Sequence, residues 1–251
     1  MGSMSEIKVA VCVTGLVRSK SPHGNVKRYA DIHRQRFPDA DFFYTTWSDQ
    51  RPKFEKYFGT DQKCYYYDQP EKPYHPYIDV DPKHYLHEYY ADRVTWAKQL
   101  NKTAWTHHHA KQIINYAWLV RDMPKDYDVL VRIRFDSVIS KHNQFDFYIK
   151  EAYNKGTVHG FAVTQAHRFN EFYHSDTPKH KYYMLDQGII HRADTFDPQL
   201  TIDAWNEQRL LAAEWGWYQS LSHPHGGIHK NHHGFINHDG HVQDMFVLEH
   251  T

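Results

Sequence analysis

The sequence predicts an α/β fold, a mostly parallel mixed sheet with helices on both faces, and three observations carry that expectation. Short β-branched apolar runs, IKVAVCVTGL near the start and YDVLVRIRFD in the middle, have the form of buried strands. Stretches with apolar residues at helical spacing lie between and after them. Strand, helix and strand also follow one another within about 45 residues, which is the order of a βαβ unit.

Taken in order, IKVAVCVTGL is the first strand, ending in Thr14-Gly15. The polar, basic loop TGLVRSKSPHGN follows, and VKRYADIHRQRF is the first helix, with Val26, Tyr29, Ala30, Ile32, His33 and Phe37 close to one face. DADFFYTTW is the second strand. Residues 60–90 hold four prolines and no sustained period, so they are expected to form an irregular insertion or lid. A helical pattern runs from Trp96 to Val120, with Gln112, Ile113, Tyr116 and Ala117 along one side, and RDMPKDYD stops it. VLVRIRFD is then a strand, NKGTVHGFAVT another around residues 157–164, and YYMLDQGIIHRADTF a loop and strand. IDAWNEQRLLAAEWGWYQSL is the last amphipathic helix, and a Gly- and His-rich segment, 223–251, is expected to lie over the site.

Met4 is read as the start of a single domain, 4–251, and 251 residues suffice for a core of its own. Lys+Arg and Asp+Glu both number 30, so there is no global basic field of the kind that dominates nucleic-acid binding. Two cysteines, Cys12 and Cys64, make no disulfide framework, and Cys12 inside VAVCV reads as a free buried thiol. No run approaches the roughly 18 to 20 apolar residues of a membrane span, and no signal peptide precedes the first strand, so a soluble, cytoplasmic protein is expected. Aromatics make up 16% of the chain and there are 22 histidines. Such surfaces suit sugars and bases, although most aromatics fill cores.

The VLVRIRFD strand poses the chemical question. One alternating set is Val129, Val131, Ile133 and Phe135; the other is Leu130, Arg132, Arg134 and Asp136. Side chains two apart on a strand share a face roughly 6.6 Å apart. A charged row of this kind is either internally paired or faces a solvated cleft, because burying an unpaired charge costs several kcal/mol. In open α/β sheets that cleft lies at the C-terminal strand ends, where this row falls.

A helix ending before YDVLVRIRFD, the opening VAVCVTGLVRS, the ADFFYTTW strand and the later MLDQGIIHRADTF together resemble the GT-A type nucleotide-sugar glycosyltransferases of lipopolysaccharide and capsule synthesis, including phage-encoded relatives. The likeness covers about residues 7–47 and 105–220, and motif order carries most of it. It implies a single GT-A-like, Rossmann-like domain that moves a sugar from a nucleotide-sugar donor to an acceptor hydroxyl. By position it implies that Thr14 and Gly15 approach the nucleotide, that Arg18 meets a phosphate, and that Arg132, Arg134 and Asp136 handle the diphosphate. Arginines and a carboxylate-held Mn²⁺ or Mg²⁺ both stabilise a leaving diphosphate.

The usual motif pairs two aspartates two residues apart, and here Arg134 stands at the earlier position. Either Asp136 binds a metal with help from elsewhere, such as His238 or His241, or the arginines replace the metal. In the resembled family an Asp-Gln lies beside the acceptor, so Asp186 is the candidate general base, with a turn cap as its structural alternative. Glu214 is the other candidate base, and Trp215 and Trp217 are either sugar platforms or core. The acceptor is a glycan, a lipid-linked glycan or a modified base of phage DNA; in the last case the location would be the host cytoplasm.

Two other readings compete. A non-catalytic carbohydrate-binding protein predicts aromatics on an open face. The triplet HSD at 174–176 with His229 imitates the two-histidine, one-carboxylate site of non-haem iron oxygenases, but no arginine follows Arg209 to hold a 2-oxo acid. The triplet HHH at 107–109 falls on a predicted helix, where adjacent positions point about 100° apart and do not converge on one ion.

Overall fold

A computed structural model describes residues 7–17, 26–70, 103–135, 137–139, 143–156, 158–161, 188–207, 210, 216–217, 220–221 and 246–248. The strands are β1 (Val9–Thr14), β2 (Asp41–Trp47), β3 (Cys64–Tyr67), β4 (Val129–Arg134), β5 (Ser137–Ile139), β6 (His159–Phe161), β7 (Gly188–Arg192) and β8 (Phe246–Leu248). The α-helices are α1 (Val26–Arg36), α2 (Arg51–Phe58), α3 (Thr103–Asp122), α4 (Asn143–Lys155) and α5 (Pro198–Asn206).

Six strands form one sheet in the order β3-β2-β1-β4-β7-β6. β1 pairs in parallel with both β2 and β4, and β2 with β3. β7 runs antiparallel to β4 and to β6, so it alone is reversed. The mostly parallel mixed sheet is therefore as expected. β5 and β8 form a separate antiparallel pair, which brings residues 246–248 alongside the chain just beyond the end of β4.

Strand alternation sorts the core onto two faces. Ala10, Cys12, Phe43, Leu130 and Ile189 pack with Ile113, Tyr116, Ala117 and Val120 of α3 and with Ile202 and Ala204 of α5. Val11, Val13, Tyr44, Val129, Val131, Ile133 and Phe135 pack with Phe54 of α2 and with Phe145, Tyr148, Ile149 and Ala152 of α4. Phe37, just past α1, meets Phe145 edge-on with ring centroids 5.3 Å apart. Helices thus cover both faces, and the apolar set Val129, Val131, Ile133 and Phe135 lies wholly on one of them.

Several elements depart from the sequence reading. The stretch 60–90 is not irregular throughout: Cys64–Tyr67 adds β3 to the edge of the sheet, its four residues all half-buried, which leaves no polar alternation to detect. α4 was not anticipated, although Phe145, Tyr148, Ile149 and Ala152 fall at the spacing of one helical face. α5 begins at Pro198 rather than Ile202, because the Asp197 carboxylate accepts hydrogen bonds from the N–H groups of Gln199 and Leu200. It ends at Asn206, with Glu207 in a turn, so the expected helix does not run on unbroken. Cys12 is buried and Cys64 half-buried, and both are free thiols.

Candidate functional site

β1 is the point at which strand order turns back: β2 and β3 lie to one side of it, β4 and β7 to the other. Side chains at the C-terminal ends of β1, β2 and β4 are in register, Thr45 opposite Thr14 and Thr14 opposite Arg134. By alternation all three lie on the face that α3 covers, one step beyond Cys12 and Arg132.

Gly15 directly follows β1 with φ +109°, a backbone state that L side chains rarely adopt. Among the described residues, no heavy atom lies within 4 Å of where a Cβ on the glycine would be. Its N–H donates to the Thr45 carbonyl at 3.2 Å and its carbonyl accepts from Thr46 Oγ1 at 2.8 Å. Gly15 therefore contributes shape rather than a spare N–H donor. Thr45 Oγ1, beside Thr14, is a buried hydroxyl with no hydrogen-bond partner among the described residues.

The charged row of β4 divides in two. Arg132 is fully enclosed, with 0% exposure. Its Nε donates to Thr14 Oγ1 at 3.0 Å and one terminal nitrogen donates to Gln112 Oε1 of α3 at 3.0 Å. Its guanidinium carbon lies 4.8 Å from the centroid of the Trp217 ring. Charge-assisted hydrogen bonds and the face of an indole offset the desolvation of a buried cation. Arg132 thus ties β4 to β1 and α3, while Arg134 is half-buried at the rim.

Trp217 is buried in the core, 5.4 Å from Tyr116 between ring centroids, and is no surface platform for a sugar. Tyr116 is anchored in turn. The His191 Nδ1 lies 2.8 Å from the Arg192 carbonyl, so that nitrogen carries the proton, and Nε2 accepts from the Tyr116 hydroxyl at 2.7 Å. Burial pushes His191 down to about 4 and raises the Tyr116 phenol. The partner missed in the sequence was Gln112, and its signal was a polar residue on an otherwise apolar helical side, four before Tyr116.

Of the residues read from the sequence, Gly15 and Arg134 lie at this rim, with Thr14 and Arg132 enclosed beneath it. Arg18, Asp136, Asp186, Glu214, His238 and His241 lie outside the described residues, as do Trp215, the HSD triplet and His229. Among the described residues, no group of three or more His, Cys, Asp or Glu is placed to hold a metal, and no helix is long and apolar enough to cross a membrane. The half-buried guanidinium of Arg134 suits an anion, and a dication would depend on Asp136, His238 and His241.

No protein-family model and no curated protein matches the chain. Among solved structures, a core-mannan synthase from Aspergillus fumigatus in a Mn/GDP form is similar at 13% identity, with TM-score 0.45, over 91% of this chain and 72% of that one. A glycosyltransferase involved in glycosylating the major capsid of PBCV-1 is similar at 7% identity, with TM-score 0.44, over 96% and 92%. A 4-diphosphocytidyl-2C-methyl-D-erythritol synthase from Anaerococcus prevotii follows at 8% identity, with TM-score 0.41, over 81% and 76%. Overlaps of this size assign neither chemistry nor residues.

Proposed function

We propose that the chain is a nucleotide-sugar glycosyltransferase, moving a sugar from a nucleoside diphosphate carrier to an acceptor hydroxyl. One observation carries the reading. Where the strand order turns back, Arg134 stands opposite Thr14 at the ends of β4 and β1, and Gly15 follows directly, with no heavy atom of the described residues within 4 Å of where its Cβ would be. Ligands of open α/β sheets bind in the crevice at that point. The missing side chain of Gly15 lets a diphosphate approach the backbone, and the guanidinium of Arg134 offers a fork of donors to its oxygens.

In the transfer, the acceptor oxygen bonds to the anomeric carbon while the bond from that carbon to the diphosphate oxygen breaks. The electron pair leaves with the nucleoside diphosphate. Arg134, with Arg18 as a further phosphate contact, stabilises the charge that develops on the leaving group. The acceptor proton passes to a base, which we assign to Asp186, with Glu214 as the alternative. Arg132 acts as a positioning residue: locked to Thr14 and Gln112, it holds the two strand ends at a fixed separation. Mn²⁺ or Mg²⁺, held by Asp136 with His238 or His241, would supply further charge stabilisation to the same leaving group.

The test is thermal denaturation of the full chain with UDP, GDP, CDP and CMP, each with and without Mn²⁺. A nucleotide at 100 times its Kd is expected to stabilise by about 2.7 kcal/mol. Arg134→Ala should weaken that nucleotide tenfold or more, and Asp136→Asn should abolish turnover. No stabilisation by any nucleotide would overturn the reading, and normal turnover by Asp136→Asn would remove that residue's role. A glycan acceptor predicts binding insensitive to salt, whereas a DNA acceptor predicts a steep loss of affinity as salt rises.

A further inference from the structure

We propose that a cleft at the opposite end of the sheet is a second binding site, and that it takes a neutral saccharide. The cleft has a volume of about 490 Å³, within the range of small-molecule sites. It lies at the N-terminal end of β4, bounded by the last turn of α3, by Tyr153 of α4 and by the segment from Arg192 to Pro198. Asp128 on its wall and Arg134 at the strand-end rim are about 20 Å apart along the strand. Its occupant is therefore not the nucleotide donor.

The chemistry of the walls selects the ligand class. Among the described residues the cleft carries two cations, Lys125 and Arg192, and two carboxylates, Asp128 and Asp194. Arg192 Nε donates to Asp194 Oδ1 at 2.5 Å, the Lys125 ammonium donates to the Val120 carbonyl, and Asp128 accepts from the Lys8 N–H at 2.8 Å. The charges balance and each is engaged, so the cleft has no net field for an ion. Each group keeps further donors or lone pairs, which are what hydroxyl groups use. Tyr153 is 41% exposed on the wall, and the floor is apolar, with Leu130 and Phe196. Donors and acceptors of both signs around an exposed aromatic ring suit a molecule with many hydroxyls and an apolar ring face.

The wall is built rather than incidental. Gly156 ends α4 with φ +67°, and its N–H donates to the Ala152 carbonyl at 2.9 Å. A Cβ at Gly156 would sit 3.6 Å from the Arg192 guanidinium carbon, so Arg192 packs over the bare backbone. This holds Tyr153, one turn earlier, and Arg192 on the same side of the cleft. The site stands independently of the transferase reading. With that reading, it would grip a remote part of a glycan acceptor.

The experiment is ligand-observed saturation-transfer NMR on the full chain with lactose, maltose and cellobiose, and with benzoate as an aromatic anion. At least one disaccharide is expected to receive saturation. Tyr153→Ala and Asp194→Asn should each weaken it tenfold or more, and Tyr153→Phe, which keeps the ring, should retain it. Excess UDP and Arg134→Ala should leave it unchanged. Saturation of benzoate alone, or of none of the sugars, would overturn the proposal, as would a sugar signal displaced by UDP or indifferent to Tyr153→Ala. Failure of the transferase reading shows separately, as the absence of stabilisation by nucleotides.

Discussion

A guanidinium with no exposure, as at Arg132, stays charged, so its surroundings must answer for the charge. Thr14 Oγ1 is one of its acceptors. Thr14→Val keeps the shape of the side chain and removes that acceptor, so it should destabilise the protein by about 2 kcal/mol, read from denaturant unfolding, while Thr14→Ser should restore most of the loss. Two of the buried histidines, His159 and His191, make a contrasting pair. Burial pushes both His159 and His191 down to about 4, against a small opposing pull from Glu151 on the first. Both are held neutral in the fold and take up protons more readily once unfolded. Their stability contribution is complete above about pH 6.5 and is lost as pH falls from there towards 4. Among the described residues neither ring nitrogen of His159 has a hydrogen-bond partner, whereas His191 accepts from Tyr116. His159→Phe should therefore relieve part of the acid sensitivity at little cost near pH 7.5. His191→Phe should cost about 1 to 3 kcal/mol there, because the Tyr116 hydroxyl is left buried and unpaired. Unfolding curves of both variants at pH 5 and pH 7.5 check the signs.

Among the elements, those with strong local patterns were legible and those defined by tertiary pairing were not. β1, β2 and β4 are apolar runs that the sheet buries on both sides, and they stand where the sequence places them. β3 reads as CYYY with no polar partner positions, so only its pairing with β2 defines it. The start of α5 was legible in principle, as Asp197-Pro198 is a cap followed by a favoured first helical residue. Asp197→Ala should cost about 1 kcal/mol through the loss of two hydrogen bonds to free backbone N–H groups, seen as a lower Tm with the native fold retained.

Over the molecule as a whole, the reversal of β7 was beyond the reach of sequence pattern, since a buried apolar strand reads the same in either direction. That reversal matters because it carries Arg192 to the N-terminal end of β4, away from the strand-end rim. The rim itself was half legible. Alternation along β4 placed Arg132 and Arg134 on one face, but the division between an enclosed strut and a half-buried rim residue depends on Gln112 and Trp217, which reach Arg132 from distant parts of the chain.

The two cysteines carry a practical consequence. Burial pushes the Cys64 thiol up to about 12, and the Cys12 thiol is also raised strongly. At pH 7 the Cys64 thiol is then held protonated, and thiolate is the form that reacts. Iodoacetamide at neutral pH should leave both thiols unmodified in the native protein and alkylate both after denaturation, as intact-mass measurement would show. If that outcome is met, a single Tyr153→Cys substitution places one addressable label for maleimide dyes at the mouth of the far cleft.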